Sequence, residues 1–449
     1  MKKVLSRLSA ACRSLERWEW GVLGALVLSR LLILAYAYPH QAKLLNGDSA
    51  LYEGLARYLL KTGQYVYPPM EPRSDLIRPP GYPVFIALHY AVFGMGRLLF
   101  PLLGNVVGVC LTYLGIRKLL VLLGQRPHPA VGVVFTLDLA WLLYSKEMVT
   151  EPIFTPLLLG AVIALIYGMR RGALRWHTAS ALALGVCALI KPIALYLPVL
   201  LVPYVLIVTR RWQPALAFAC VFLIVVGPWF ARNAAKHDVA SFTSVQNDNL
   251  LFAHGAFVYA DARSLTHVQA KDTLYARLQR AVGGDPKQQS YRRVNRAKGR
   301  LARSVLTGHP LLYAKAIARG MAITLLDPGR LVFNRTFPTE DTERIGLTNI
   351  VARDGVWGAF LQLLRKDPRM VVALTTYLGF LAVVLGVSLL GVWRAWRLVD
   401  PRLFWLMVLV GGYLLVLGGP NGYARFRLYV FPFELLLLHF GVVRVIPRR

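Results

Sequence analysis

Acidic residues are scarce in this chain: 22 Asp and Glu stand against 52 Lys and Arg in 449 residues, a formal charge of +30. Such an excess would suit nucleic acid, but the cations collect in short connections such as Arg170 to Arg175 and Arg210-Arg211. That is the pattern of turns retained on the inner side of a membrane, and it excludes a nucleic-acid surface. Cysteine is also rare. Cys12, Cys110, Cys187 and Cys220 fall in the N-terminal tail or in apolar runs, which excludes an extracytoplasmic disulfide framework and a thiolate metal cluster. The nine histidines show no ligand spacing, so no metal or other cofactor is expected. A glycine-rich phosphate loop and a nucleophile elbow are both missing, which disfavours nucleotide hydrolysis and serine-type acyl transfer. No internal repeat or low-complexity tract is evident, which disfavours a solenoid or an inverted-repeat transporter.

Apolar length is what the chain has in abundance, with 56% hydrophobic residues. The expectation is an all-α polytopic membrane protein. Spans are predicted at about 20–38, 98–121, 129–145, 152–169, 177–191, 193–209, 214–230, 370–392, 402–418 and 428–443, from length and flanking charge. The first, Trp20 to Tyr38, follows the basic segment MKKVLSRLSAACRSLER and is too long for a cleaved signal peptide. Ten crossings place both termini and the basic turns, including the tail Arg444 to Arg449, in the cytoplasm.

Two regions depart from the spanning pattern. In the first outer loop, 39–97, Asp48 to Leu60 reads as an amphipathic helix and Gly81 to Phe93 as an apolar re-entrant or interfacial one. Arg232 to Arg369 reads as one extracytoplasmic domain, within which Pro310 to Leu326 is an apolar helix lying along the membrane. The chain therefore divides into an N-terminal transmembrane module over 1–231, an outer domain over 232–369, and C-terminal transmembrane helices over 370–449.

Ionisable groups beside the spans are the candidates for chemistry. Asp48 opens the amphipathic helix, where capping is the alternative to catalysis. Arg78 precedes two prolines that stiffen its backbone, and a guanidinium on a rigid loop at the bilayer surface suits a lipid-linked phosphate. Tyr52 and Tyr82 stand in the same loop and join it as substrate-binding candidates. The connection Ser145 to Pro152 offers Glu147 and Glu151 at the outer membrane edge, with Thr150 or Glu151 capping the helix that Pro152 begins. Lys191, Arg232 with Asn233, Arg425 and Arg427 put cations at the outer ends of further spans. Singly each is a headgroup anchor, but together they point to a phosphorylated or polyanionic ligand. Asp138, inside an expected span, is costly there and ranks below Asp48 and Glu151 because of its depth.

In this order the residues resemble the GT-C glycosyltransferases, in the branch of the protein mannosyltransferases and aminoarabinose transferases. The resemblance is carried by Asp48, Arg78-Pro79-Pro80-Gly81-Tyr82-Pro83, Tyr144-Ser145, Thr150-Glu151-Pro152, Lys191-Pro192, Pro228-Trp229-Phe230-Ala231-Arg232-Asn233 and Tyr423-Ala424-Arg425-Phe426-Arg427. It implies transfer of a sugar from a polyprenyl-phosphate carrier, with Asp48 as the favoured catalytic residue, Arg78 on the carrier phosphate and Glu151 as the later outer-loop carboxylate, the second catalytic candidate, which would orient the acceptor or the base. It implies a bacterial inner membrane with the site facing the periplasm. The chain has Asp48-Ser49 where the mannosyltransferases carry an Asp-Glu pair, and their soluble insert has no counterpart, so a glycolipid or polysaccharide acceptor is expected over a protein. A transporter or flippase for lipid-linked glycans, or an O-antigen ligase or polymerase, is the competing expectation.

Overall fold

The computed structural model describes residues 14–45, 47–69, 74–338 and 367–443, with isolated positions between 358 and 365. Among the described residues the chain is helical, with no strand. Helix α1 is Arg17–Ala37, followed by α2 Gly47–Thr62, the single turn α3 Ser74–Ile77, and α4 Gly81–Phe93. Then come α5 Leu99–Leu122, α6 Pro129–Leu137, α7 Leu139–Tyr144, α8 Glu151–Arg171, α9 Leu174–Ile190, α10 Leu197–Thr209 and α11 Trp212–His237. The region between α11 and the closing helices holds α12 Val245–Asp248, a π-helical stretch Asn249–Gly255, α13 Ala256–Arg263, α14 His267–Val282, α15 Tyr291–Gly308, α16 Pro310–Leu326 and α17 Arg330–Thr336. The chain closes with α18 Pro368–Leu398, α19 Pro401–Leu417 and α20 Ala424–Val442. The tail Arg444 to Arg449, Cys12 and most of 339–366 lie outside the described residues.

Among the described residues six helical segments are long and apolar enough to cross a bilayer: Arg17–Ala37, Leu99–Leu122, Glu151–Arg171, Pro192–Thr209, Trp212–His237 and Pro368–Leu398. Three more, α4, α9 and α19, are apolar but shorter. Exposed Leu32, Ile207, Ile224 and Val383 on these helices form the lipid-facing surface that a multi-pass membrane protein requires. The run expected as one span at 129–145 is instead two short helices. Asp138 is extended (φ −63°, ψ 111°) and its carboxylate accepts from the backbone N–H of Trp141 at 2.8 Å, so it ends α6 and caps α7.

Helix α20 is the centre of the bundle, packed against α18, α19, α5, α6, α7, α8 and α16. Nearly all of it is buried, including Arg425, Arg427, Glu434 and His439. Its contact with α18 is backbone to backbone. A Cβ on Gly391 would stand 1.8 Å from the carbonyl oxygen of Leu437, and one on Gly441 2.2 Å from that of Val387. Small residues on both helices permit this approach, as in other membrane helix pairs. Gly391→Ala is therefore expected to push the two helices apart and cost about 1–3 kcal/mol through overpacking. Thermal unfolding in detergent checks this, with Gly379→Ala, where the added methyl meets nothing within 4 Å, as the neutral control.

Outside the bundle, α13 to α16 and the π-helical stretch bury their own apolar faces. Leu251, Val258, Leu274, Val305 and Ala316 form one cluster, and Leu278, Val282, Val294 and Ala297 a smaller one. Helix α16 runs over the span expected from the sequence, Pro310 to Leu326, and joins this region to α18, α19 and α20.

Candidate active site

The segment between α1 and α5 supplies the floor of the site. Helix α2 begins one residue before Asp48, so the carboxylate sits in the first turn, where the helix dipole favours negative charge. Both of its oxygens meet arginines. Oδ1 accepts from Arg78 Nη2 at 2.5 Å and Oδ2 from Arg425 Nη1 at 2.7 Å. Arg78 is delivered by the rigid Arg78-Pro79-Pro80 turn, whose carbonyls at Arg78 and Pro79 accept from the Tyr65 hydroxyl at 3.0 and 3.1 Å. Its guanidinium lies 5.4 Å from the centre of the Tyr52 ring, which in turn meets Tyr82 edge to face.

Arg425 is placed by the start of α20. Asp327, on an earlier segment, accepts from the N–H of Ala424 at 2.7 Å and from that of Gly329 at 2.9 Å, and so pins the first turn of the helix. Arg425 then reaches two carboxylates, since its Nε also donates to Glu151 Oε1 at 2.7 Å. The same oxygen accepts from Lys191 Nζ at 2.6 Å, and Lys191 lies over the Tyr429 ring at 5.0 Å. Thr150 is the N-cap residue of α8 without a capping side-chain bond; its hydroxyl donates to Glu151 Oε2 at 3.2 Å.

This network stands on the wall of a cavity of about 470 Å³. Asp48, Tyr52, Arg78, Lys191 and Arg425 all line it. Glu151 does not, being wholly buried, whereas the Asp48 side chain is 37% exposed. From there Glu151 holds Lys191 and Arg425 from beneath. Burial alone would raise the Asp48 carboxyl, but Arg78 and Arg425 outweigh it and hold the group below the usual carboxylate range.

Other expected site residues are used elsewhere. Tyr82 is buried beneath Tyr52 and does not line the cavity. Glu147 pairs with Arg335 through two bonds of 3.0 Å each and lies 3.6 Å from Lys146. Burial pushes the Lys146 ammonium down to about 8, with Glu147 pulling the other way, and its Nζ donates to the carbonyl of Lys43 at 2.7 Å. Arg232 pairs with the buried Asp75, as do Lys236 and His237, and stacks over Trp229. Asn233 donates to the carbonyl of Ser241 at 2.8 Å. These contacts clamp α3 and the 241–244 segment to the end of α11. Arg427 is fully buried, donating to Asp138 Oδ2 at 2.9 Å and lying 2.5 Å from the Tyr377 hydroxyl. Asp138 is its partner within the bundle.

The cavity also takes in Tyr196, Tyr423, Tyr429 and His254, which were not singled out for a site. Tyr423 stood inside the quoted Tyr-Ala-Arg-Phe-Arg run. His254 carried no such signal, because nothing near it in sequence marks a site. It projects from the π-helical stretch, a conformation frequent at functional sites, and its Nδ1 lies 3.0 Å from the Tyr313 hydroxyl. Burial lowers its pKa and favours the neutral ring. The ring packs against Gly419 (φ +65°), where a Cβ would come within 2.5 Å of Nε2. Among the described residues no cluster of three or more His, Cys, Asp or Glu side chains is arranged to hold a metal ion.

The class defined here is an all-helical, multi-pass membrane protein with a mixed-charge cluster on a cavity wall. No family model matches the chain, and no curated protein matches it. Among solved structures it is similar to ArnT from Cupriavidus metallidurans bound to undecaprenyl phosphate, at 17% identity and a TM-score of 0.37, over 95% of this chain and 78% of that one. The apo state of ArnT from the same organism gives 16% identity and a TM-score of 0.36 over 94% and 77%. The likeness is remote.

Proposed function

We propose that this protein is a membrane glycosyltransferase that moves a sugar from a polyprenyl-phosphate carrier to a glycolipid or polysaccharide hydroxyl. The observation that carries this reading is the charge balance at the cavity. Three permanent or near-permanent cations, Arg78, Lys191 and Arg425, share two carboxylates, Asp48 and Glu151, so one positive charge is left for an anionic ligand. A phosphate monoester or diester suits it, and a lipid tail would extend along the apolar helices beside it.

In the reaction, the acceptor oxygen attacks the anomeric carbon as the bond from that carbon to the phosphate oxygen breaks. The bonding pair leaves on the phosphate, and the hydroxyl proton passes to Asp48 as general base. Arg78 takes the leaving phosphate first, with Lys191 and Arg425 adding charge as negative charge builds on it. Glu151 acts through the two cations it holds. A single displacement inverts the anomeric centre, through a transition state of oxocarbenium character.

The site belongs to the outer face in this reading. Helices α8 and α9 form an antiparallel pair whose basic turn, Arg170 to Arg175, lies at the end opposite Glu151 and Lys191. Retention of that turn in the cytoplasm puts the cavity outside, in a bacterial cell membrane facing the periplasm. The domain boundaries at 231/232 and 369/370 belong to the same proposal.

The functional test is mass spectrometry of envelope glycolipids and polysaccharides from cells with and without the protein. One missing sugar is expected; an unchanged glycan inventory counts against transfer. At the level of the residue, Arg78→Lys keeps the charge and loses the planar fork. Binding of a polyprenyl-phosphate sugar to the purified variant is expected to weaken by about 1–3 kcal/mol. Unchanged affinity would make Arg78 a loop anchor held by Asp48 rather than a phosphate ligand.

A further inference from the structure

Over 232–338 the chain carries 17 Lys and Arg against 6 Asp and Glu, and the excess is concentrated on α15. Arg292, Arg293, Arg296, Arg300 and Arg303 are all exposed. At 3.6 residues per turn these five positions fall within an arc of about 100° and run for about 17 Å along the helix. The opposite side carries Val294, Ala297, Ala302, Val305 and Leu306, buried in this region. The arginines are largely unneutralised. Arg292 meets Asp238 at 2.7 Å, Arg303 donates to the carbonyl of Gly299, and among the described residues Arg293, Arg296 and Arg300 meet no carboxylate. Lys298, which points away from the stripe, is also paired, with Asp248 at 2.5 Å.

Concentrating five like charges on one helix face costs repulsion at every i,i+4 step, so solvation alone does not call for it. A lipid surface fits poorly. The apolar residues of α15 are turned inward, and the helix packs on α12, α13, α14, α16 and the π-helical stretch rather than on the spanning bundle. Guanidinium groups also favour forked contact with carboxylate or phosphate over diffuse attraction. The helix itself packs on the segment that reaches the cavity. Asn247 donates to the Asn295 side chain at 2.9 Å, and the segment it begins continues into Asn249, Leu250, Ala253 and His254 on the cavity wall.

We infer that the exposed face of α15 is a docking track for a linear anionic glycan, whose end it presents to the cavity. This rests on the proposed transferase reading and names its acceptor class: a sugar polymer bearing carboxylate or phosphate groups at regular intervals. The track binds by charge along the chain, and the cavity selects the terminal hydroxyl.

The test uses the full-length protein in zwitterionic detergent micelles and fluorescein-labelled polygalacturonate, followed by fluorescence anisotropy, with neutral dextran as control. The wild type is expected to bind polygalacturonate and not dextran, with affinity falling as salt is added. The combined variant Arg293→Gln, Arg296→Gln, Arg300→Gln and Arg303→Gln changes only exposed side chains and should fold. Its affinity is expected to drop by at least about tenfold, with a shallower salt dependence, as the field along the helix is removed. Its binding of polyprenyl phosphate should equal that of the wild type, whereas Arg78→Lys should do the reverse. A failure of Arg78→Lys to alter lipid binding therefore counts against the cavity reading and not against the track. Wild-type affinity for polygalacturonate in the fourfold variant overturns the inference. So does equal binding of dextran, or binding to phosphatidylglycerol vesicles without binding to polygalacturonate.

Discussion

Asp48→Asn is expected to fold, enter the membrane and bind a polyprenyl-phosphate sugar, yet lose transfer by at least about 100-fold, the range for a missing general base. Among the described residues Asp48 is the carboxylate that lines the cavity, and asparagine keeps its size while removing its basicity. The two arginines on it set the pH behaviour. With the carboxyl held below its ordinary value of 3.8, the free protein carries it ionised throughout the working range. A phosphate that draws Arg78 and Arg425 onto itself withdraws that stabilisation, so the carboxyl rises and becomes a better base as the donor binds. The acid limb of kcat should accordingly lie at higher pH than that of kcat/KM. The linkage has a definite sign. A depressed carboxyl contributes stability above its unfolded pKa and loses it as pH falls through the folded one, so Asp48→Asn should be less stable at neutral pH and level with the wild type in strong acid. Turnover near the wild-type value in the asparagine variant, measured beside donor binding on the same preparation, would remove Asp48 from catalysis. Glu151 would not replace it, being sealed from the cavity.

Asp138→Leu is expected to cost about 3–5 kcal/mol, because it strands the Arg427 guanidinium in the bundle. Both side chains of the pair are fully buried, and Arg427 keeps only the Tyr377 hydroxyl and the carbonyl of Leu325 once the carboxylate is gone. Arg427→Leu alone strands Asp138 in the same way. The double variant Asp138→Leu with Arg427→Leu should be more stable than either single one, since it removes both charges together. Thermal unfolding in detergent across the four proteins measures the coupling. A loss below about 1 kcal/mol in Asp138→Leu would show that Glu434, also buried on α20, takes over as the counter-ion of Arg427, since an uncompensated charge there costs several times that.

Ranking Asp138 behind Asp48 by depth agrees with where the two now stand, one inside the bundle and the other on the cavity wall. Arg425 and Arg427 stand two residues apart near the start of α20, and sequence position treats them alike. A helix turns about 200° between such positions, so one faces the cavity and the other the bundle interior. Arg232 illustrates the same limit. It reads as a cation at the end of a span, but its ligand is Asp75, more than 150 residues earlier, in a turn too short to show a pattern.

Apolar run length, basic turns and proline placement by themselves determined the helical, membrane-embedded class, the helix at Asp48 and the stiff turn at Arg78. These are local properties, set by the cost of exposing backbone to lipid and by the geometry of a few consecutive residues. Tertiary structure decided which charges meet. Asp48, Arg78, Glu151, Lys191 and Arg425 come from five separate stretches, and Glu147, Arg232 and Arg427 found partners elsewhere, because a buried charge takes whichever opposite charge the packing brings within hydrogen-bond reach. His254 reached the cavity by the same route, through a π-helical turn and a glycine that leaves room for its ring, features that no spacing along the chain encodes.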